Sequence, residues 1–271
     1  MVRRKKNFTL SSMGRQRVRS SSIIFLSMTK KSSTKRISFK QRIFGIFKWI
    51  LKFIIIFFIS TVLIVFAMRW INPVTSSIMI QRQIFNVFKG DFELIKYHWV
   101  DYDYVSKYVP IAIVAAEDQN FPNHFGFDFK QIEKAMKQNK RGKRIRGAST
   151  ITQQVAKNLF LWEGKSFVRK GIEAYFTILI ELLWDKKRIL EVHMNIAELG
   201  KNVFGVGIAS VAYFRKPPGK LTLSQSALIA AVLPNPIRYS IVKPSGYVRG
   251  RQNWIIRQIN SLGGPDYLKD I

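Results

Sequence analysis

Two kinds of hydrophobic pattern divide the chain. Residues 49–68 form an apolar run of 20 residues in which only Lys52 is charged. As a helix this run spans about 30 Å, the thickness of a bilayer's hydrocarbon core, and Lys52 lies near its end, where the ammonium can reach the interface. A cleaved signal peptide has a shorter apolar run and a small-residue cleavage site. The pattern therefore predicts a retained transmembrane anchor.

After about residue 108 the apolar positions recur at intervals of three and four residues, which is the period of an α-helix. The clearest example is 169–184, a nearly buried helix by its pattern that nonetheless carries Glu173 and Glu181. Other helices are predicted from Pro110 onward and over residues 131–139, 189–197, 224–232 and 254–262. Residues 69–107 are typical of a juxtamembrane connection with a short strand. The predicted fold class is mainly α.

The charge is concentrated at the amino-terminal end. The chain has 45 Lys and Arg against 16 Asp and Glu, a net charge of +29, and residues 1–48 hold 14 basic residues and no acid. Such a tail suits the anionic inner leaflet, and the positive-inside tendency keeps it in the cytoplasm. The chain after residue 69 is then expected on the outer face of the membrane, where nucleic acid is not an expected partner. The absence of cysteine excludes disulfide scaffolds, thiolate metal sites and cysteine nucleophiles.

The first candidate for chemistry is the acidic pair Glu117-Asp118, which closes an apolar helix. Most such pairs are solvated helix ends. Here Phe121 and Phe125 follow closely, and aromatic neighbours would desolvate a carboxylate and raise its pKa toward the range useful to a general base. We interpret the nearby His124 as structural, because no second His or Cys stands at metal-ligand spacing.

A second candidate is the segment 146–158, RGASTITQQVAKN, which follows a basic run over residues 130–146. Glycine, hydroxyl, amide and lysine side chains in this order suit a loop that enters a helix, whose free N–H groups can hold phosphate or sugar oxygens. The alternative is a plain helix cap made by Ser149 or Thr150, and both interpretations can hold together.

These segments are the first two of five motifs that occur in order between residues 108 and 236. The first two comprise Glu117, Asp118, Phe121, His124, Gly126 and Asp128, then residues 149–154 with Lys157, Asn158 and Leu159. The other three comprise Arg169, Lys170, Glu173, Ile189, Leu190, Glu191 and Asn195, then Gly205, Ala209, Tyr213 and Phe214, then residues 233–236. Together they resemble the peptidoglycan glycosyltransferases of glycosyltransferase family 51, found in class A penicillin-binding proteins and in monofunctional transglycosylases. The anchor exit at residues 69–73 and the end of the chain after one such domain resemble the monofunctional branch of Gram-negative bacteria.

The resemblance implies a lysozyme-like helical glycosyltransferase domain behind a single N-terminal transmembrane helix. The predicted organisation is a basic disordered cytoplasmic tail (1–48), a transmembrane signal anchor (49–68), a juxtamembrane connection (69–107) and the glycosyltransferase domain (108–271). The implied activity is inverting: lipid II is polymerised into β-1,4-linked glycan strands for the bacterial cell wall, and undecaprenyl pyrophosphate is released. The enzyme would lie in the inner membrane, with its catalytic domain on the periplasmic side and cell-division or elongation proteins as candidate partners.

The resemblance also implies roles for particular residues. Glu117 would be the general base, and Glu173 the second catalytic carboxylate, which assists departure of the pyrophosphate. The implied substrate-binding residues are Asp118, Ser149, Thr150, Gln153, Gln154, Lys157, Asn158, Lys165, Arg169 and Lys170. No residue is predicted as a metal ligand and no cofactor as required, with Mg²⁺ an optional aid at the pyrophosphate.

Three positions depart from the family pattern. Ala148 stands in place of a second glycine, Lys165 in place of an arginine, and Gln225 in place of a glutamate. A lysine keeps the positive charge but loses the bidentate fork of arginine, which weakens the expected phosphate role of Lys165. The position of Gln225 is expected to be structural.

Two rival functions are compatible with the residues alone. A lysozyme-like hydrolase would share the helical architecture and the use of carboxylates, but it would cleave glycan instead of extending it. A non-enzymatic membrane anchor would recruit division or elongation proteins through its basic tail. Incubation with purified lipid II separates these possibilities, because only a polymerase yields long chains and free undecaprenyl pyrophosphate.

Overall fold

Helices dominate the part of the chain that the computed structural model describes, residues 39–140, 149–164 and 166–271. The longer helices are α1 Phe39–Ala67, α2 Ser77–Phe88, α3 Tyr108–Glu117, α4 Phe129–Lys140, α5 Ile151–Phe160, α6 Phe167–Leu183, α7 Lys186–Ile196, α8 Gly205–Phe214, α9 Leu223–Val232 and α10 Gly246–Ser261. Short 3₁₀ turns occupy Tyr102–Tyr104, Phe121–Asn123, Pro218–Lys220 and Gly264–Leu268. The predicted mainly α fold is confirmed.

The predicted anchor lies within α1, apart from its last residue. Among the described residues, Phe44–Ala67 is the one helical stretch long and apolar enough to cross a membrane, with a mean hydropathy of 2.8. The described chain divides after Leu51: the first unit holds only the beginning of α1, and the second, Lys52–Ile271, holds the rest. The tail predicted for residues 1–48 lies almost wholly outside the described residues.

Three short strands form a small sheet in the order β1-β3-β2. Strand β1 (Lys96–Tyr97) runs parallel to β3 (Val203–Phe204), and β2 (Glu198–Gly200) runs antiparallel to β3. The strand predicted within residues 69–107 is therefore present. The same stretch contributes α2, whose Gln81 donates a 2.9 Å hydrogen bond from Nε2 to the carbonyl of Leu161. Residues predicted as a connection thus take part in the folded domain.

The centre of the core is helix α3, which is apolar on every side. All seven residues from Val109 to Ala115 are buried, as expected for a helix surrounded by other elements. It packs mainly on α9 and α10, and α9 is buried over residues 226–232. Because α3 ends at Glu117, the carboxylate of this residue lies at the edge of the core.

Side-chain caps explain where several helices begin. In α5, Thr150 and Gln153 form a capping box, and Thr222 and Gln225 form the same arrangement at α9. The side chain of Gln225 accepts a hydrogen bond from the N–H of Thr222 at 3.0 Å. Gln225, one of the three departures from the family pattern, therefore has a structural role, as expected.

Some helix predictions were incomplete. Helix α10 begins at Gly246, eight residues before the predicted start at 254. Its first two turns hid the helical pattern because they contain two glycines and mostly polar residues. Helices α2 and α8 were not predicted. In α8 the glycines at positions 205 and 207 hid the helical pattern, since glycine disfavours a helix in isolation.

Arg188, near the start of α7, binds the chain where it leaves α1. Its guanidinium donates to the carbonyls of Met68 and Ile71, at 2.9 and 3.0 Å, and to Oδ1 of Asn72 at 2.8 Å. Cationic donors at the end of a helix satisfy its unpaired carbonyls and interact favourably with its dipole. A second link is the indole of Trp184, which donates to the carbonyl of Val65 at 2.7 Å. The exit of α1 is therefore fastened to the domain.

Two polar residues of the third motif have structural partners in the same region. Glu191 accepts the N–H of Tyr102 at 2.7 Å, and Asn195 exchanges hydrogen bonds of 2.8 Å with the backbone N–H and carbonyl of Val100. Together they hold the segment between β1 and α3 against α7.

Gly126 allows a close approach that no other residue permits. Its φ of +71° lies in the left-handed region, and a Cβ added there would lie 2.7 Å from Cγ2 of Thr177. A left-handed backbone alone costs an L-residue about 1–2 kcal/mol. We expect Gly126→Ala to lower the midpoint of thermal unfolding in detergent by at least roughly 2–4 °C.

The matched control is Gly250→Ala in α10, where a Cβ would meet nothing within 4 Å. This substitution should leave the midpoint unchanged or raise it, because alanine is the better helix former. Equal midpoints for both variants would contradict the account of Gly126.

Candidate active site

A buried carboxylate joins the first motif to the second. Asp118 follows directly after α3, and its Oδ2 accepts the N–H of Ile151, the first residue of α5, at 3.0 Å. Both of its oxygens lie 3.0 Å from Nε2 of His124. An anion at the start of a helix satisfies a free N–H and interacts favourably with the dipole. The interpretation of His124 as structural agrees with this geometry.

Two of the predicted substrate-binding residues, Thr150 and Gln153, form the cap of α5. Thr150 donates from Oγ1 to the carbonyl of Gly126 at 2.7 Å and accepts the N–H of Gln153 at 3.2 Å. Oε1 of Gln153 in turn accepts the N–H of Thr150 at 3.0 Å, and both residues are buried. Ser149, one residue earlier, is exposed. Of these three predicted residues, Ser149 is the one with an accessible side chain.

Glu117 is half-buried and is held by two other elements. Its Oε2 accepts a hydrogen bond from Nε2 of Gln154 on α5 at 3.0 Å, and its Oε1 accepts one from Nη2 of Arg251 on α10, also at 3.0 Å. Burial raises the pKa of the Glu117 carboxyl, with Asp118 adding to the rise, while Gln154 and Arg251 oppose it. The carboxylate of Glu117 is therefore more basic than that of an ordinary glutamate.

Glu117 also lines a cavity of about 280 Å³ at the end of α3. The other residues that line it come from α4, α10 and the start of α5, and they include Asp118, Lys134, Ser149, Thr150 and Trp254. A second cavity, of about 310 Å³, lies along α5 and is lined by residues that include Gln154, Lys157 and Asn158. A third, of about 410 Å³, shares Lys157 and Asn158 and reaches Arg169. Seven of the ten predicted binding residues thus line cavities along α5, whereas Gln153 and Lys170 line none of the three.

The second predicted catalytic carboxylate, Glu173, is almost completely buried in α6. Its Oε2 accepts a 2.9 Å bond from Nη1 of Arg169, and its Oε1 accepts one from the ammonium of Lys170. These pairs lie four and three residues apart on one helix, the spacings at which side chains meet. Both oxygens of Glu173 are therefore engaged by cations of its own helix.

Lys157 lines both the second and the third cavity, and the residue is exposed. Its ammonium makes no ion pair within the described part of the chain. The surrounding protein lowers the pKa of Lys157, chiefly through partial loss of hydration, although the nearby Glu173 opposes that change. The arrangement leaves a cationic group turned toward open space.

Two parts of the predicted site cannot be placed. Lys165 and residues 141–148, which contain Ala148 and half of the basic residues of the run 130–146, lie outside the described residues. Within the described ranges, no group of three His, Asp or Glu side chains could hold a metal ion.

Glu181, the other acid noted within the apolar pattern of α6, is a structural link. Its side chain accepts the hydroxyl of Thr152 on α5 and pairs with Lys186 at 2.9 Å. The same ammonium donates to the carbonyl of His124 at 2.6 Å. These contacts hold the first motif, α5 and α6 in one arrangement.

Comparison with known proteins agrees with this arrangement. Residues 86–260 match the family described as Transglycosylase, a wider span than the motifs between residues 108 and 236. The chain belongs to the transglycosylase family. A Cronobacter sakazakii protein named biosynthetic peptidoglycan transglycosylase is 54% identical over 194 residues, which is 71% of this chain and 80% of that protein. An Escherichia coli K12 protein of the same name is 50% identical over 223 residues, 78% of this chain and 92% of the relative.

Within this transglycosylase domain, sequence reasoning missed two residues that contact the site. Arg251 lies 134 residues after its partner Glu117, and no local motif marks it. His193 lies within the buried run of α7, where it had the appearance of a core position, yet its Nε2 is 3.1 Å from Oε1 of Gln154.

Removal of the cation beside Glu117 should shift the pH dependence of transglycosylase turnover. A positive neighbour favours the charged carboxylate and lowers its pKa, so Arg251→Gln should raise the pKa of Glu117. If Glu117 is the general base, as the family resemblance implies, it would then be protonated at higher pH, and the acidic limb of kcat/KM should move upward in pH. Arg257→Gln, an exposed arginine on the same helix, is the control. An unmoved limb in Arg251→Gln would contradict this assignment.

Proposed function

We propose that this chain is a peptidoglycan glycosyltransferase that polymerises lipid II into β-1,4-linked glycan strands for bacterial cell wall synthesis. The observation that carries the proposal is the position of Glu117, a half-buried carboxylate in the wall of a cavity. The hydrogen-bond partner of Glu117, Gln154, lies one turn from Lys157 on α5. Side chains three residues apart on a helix have Cβ atoms roughly 5–6 Å apart. The proposed base, held by Gln154, and the ammonium of Lys157 therefore lie beside the same face of α5. The family and the names of the two relatives support the same activity.

The reaction follows from this placement. The 4-hydroxyl of an incoming disaccharide attacks the anomeric carbon at the end of the growing strand, and the bond from that carbon to the pyrophosphate oxygen breaks. The hydroxyl proton passes to Glu117, and undecaprenyl pyrophosphate leaves with both electrons of the broken bond. Attack opposite to the leaving group inverts the anomeric carbon, as it does when a carboxylate base activates water in an inverting glycosidase.

The leaving pyrophosphate is assigned to the cationic end of α5 and α6. Lys157 and Arg169 line the same cavity there, and Lys170 adjoins Arg169 on α6. Charge stabilisation directed at a leaving group is commonly the largest catalytic contribution. Glu173 then acts by fixing Arg169 and Lys170, because both its oxygens already accept hydrogen bonds from them. Lys165, Asn158 and Ser149 are further contacts proposed for substrate oxygens.

No step is assigned to Mg²⁺. Glu173 is engaged by Arg169 and Lys170. Glu163, which lines the cavity of the proposed pyrophosphate position, pairs with Arg82, and the described residues offer no cluster of metal ligands. An assisting Mg²⁺ would depend on the oxygens of the substrate itself.

We also propose that α1 anchors the protein in the inner membrane, with residues 69–271 on the periplasmic side. Lipid II is held in the bilayer by its prenyl chain, so an anchored enzyme meets it at high local concentration. Phe125, Phe129 and Trp162 are exposed, whereas the neighbouring Phe127 and Phe160 are partly buried and Leu161 is buried. The exposed set suits the membrane interface.

The proposed base can be tested directly. Glu117→Gln should lower the rate of polymerisation of purified lipid II by roughly 10² to 10⁴, because the amide cannot accept the hydroxyl proton. The measurement is the release of undecaprenyl pyrophosphate together with the length of the glycan product. Glu133→Gln, an exposed glutamate on α4, is the control and should retain full activity. Normal polymerisation by Glu117→Gln would remove Glu117 from the role of base, and short products cut from existing glycan would instead indicate a hydrolase.

The proposed topology can be tested because the chain has no cysteine of its own. Lys269→Cys, at an exposed position, should react with a membrane-impermeant maleimide in intact spheroplasts. Ser12→Cys, in the basic tail, should react only after the spheroplasts are lysed. The opposite pattern of labelling would place the domain in the cytoplasm, where it could not meet its proposed substrate.

A further inference from the structure

A hydrogen-bonded chain leads from a buried histidine to the proposed base. Nε2 of His193 lies 3.1 Å from Oε1 of Gln154, and Nε2 of Gln154 lies 3.0 Å from Oε2 of Glu117. Three elements contribute one residue each: α7, α5 and the end of α3. The chain is continuous and consists of side chains alone.

The direction of each bond follows from the donors and acceptors available. A carboxylate only accepts, so the amide nitrogen of Gln154 must face Glu117, and its oxygen must face the histidine. Nε2 of His193 therefore carries the hydrogen. Burial, with Lys157 nearby, lowers the pKa of His193 to about 4, so the imidazole is neutral and acts as a donor only through that nitrogen.

The other ring nitrogen of His193, Nδ1, indicates that the histidine is present for a reason other than packing. The residue is 1% exposed, and its Nδ1 has no hydrogen-bond partner among the described residues. A buried acceptor without a partner costs free energy, and an apolar side chain would avoid that cost. Within the described part of the chain, the bond to Gln154 is the one hydrogen bond that the side chain of His193 makes.

We propose that His193 is a positioning residue that holds Gln154 in the orientation in which its amide donates to Glu117. His193 itself lines none of the three cavities along α5, so it acts on the reaction only through Gln154. This inference rests on the proposed function, because it assumes that Glu117 is the base. The other charged groups that face Glu117 are Arg251 and Asp118.

The expected consequence of losing His193 has a definite sign. Without the Nε2–H donor of His193, the side-chain amide of Gln154 is free to turn away from Glu117. A hydrogen bond to the charged carboxylate lowers its pKa, so its loss raises the pKa of Glu117. The acidic limb of kcat/KM should then move to higher pH, while the KM for lipid II stays unchanged.

The test compares four variants in lipid II polymerisation by the full-length protein in detergent. His193→Phe fills the site without a donor and should lower kcat by roughly 10- to 100-fold, the range seen when outer partners of metal ligands are lost. His193→Gln places an amide N–H at a similar distance from the backbone and should restore both kcat and the pH profile. His193→Asn keeps an amide but is one methylene shorter, so it should behave like His193→Phe. His98→Phe, at an exposed histidine, is the matched control and should resemble the wild type.

A double-mutant cycle shows whether His193 acts through Gln154. Adding His193→Phe to Gln154→Leu should produce no further loss of kcat if the two residues act in series. Thermal unfolding is measured for each variant, and if His193→Phe does not fold, the comparison of His193→Asn with His193→Gln decides. Equal kcat and equal pH profiles for the Asn and Gln variants, or additive losses in the cycle, would overturn the proposal.

Failure of this inference is distinguishable from failure of the proposed function. Glu117→Gln is assayed in the same experiment. If it is inactive while His193→Phe behaves as wild type, the base assignment stands and the role of His193 is wrong. If Glu117→Gln polymerises normally, the base assignment itself is wrong.

Discussion

The buried carboxylate of Asp118 is hydrogen-bonded at the same time to the first N–H of α5 and to Nε2 of His124. This interaction fixes the start of α5 against the end of α3, and these two helices place Glu117, Lys157 and Asn158, which are proposed to act on substrate. A buried carboxylate needs such partners, because an unpaired charge in the interior is very costly. Once the partners are in place, the geometry of the helix N-terminus is no longer free to vary.

Adjacent acids in the chain thereby acquire different tasks. Asp118 turns inward and organises the cap, whereas Glu117 turns toward the cavity and meets Gln154 and Arg251. One residue of separation at the end of a helix is enough to send the two side chains into different surroundings. The pattern in which neighbouring carboxylates are assigned separate roles by their environments is common at sites of acid and base chemistry.

The extent to which the sequence predicts this site depends on how local the signal is. Glu117 could be found because it closes an apolar helix and precedes an aromatic cluster, both of which are visible over a dozen residues. The cap of α5 was one of two interpretations of the same hydroxyls, and the structure shows it for Thr150, with Gln153 as its partner. Arg251 and His193 could not be found in this way, since each reaches the site from a distant helix and its role depends on tertiary packing. The early start of α10 was hidden for a similar reason, because packing against α3 and α9 supports turns whose own composition does not favour a helix.

The guanidinium of Arg188 donates to the carbonyls of Met68 and Ile71, just beyond the end of α1, and so fastens this helix to the domain. A flexible tether would let a domain keep its orientation whatever the lipid around it. If α1 spans the membrane, as we propose, a bilayer thicker or thinner than the apolar length of α1 would change the tilt of the helix, and the domain would tilt with it. The angle at which a prenyl-linked sugar enters is thus coupled to the thickness of the membrane that holds it.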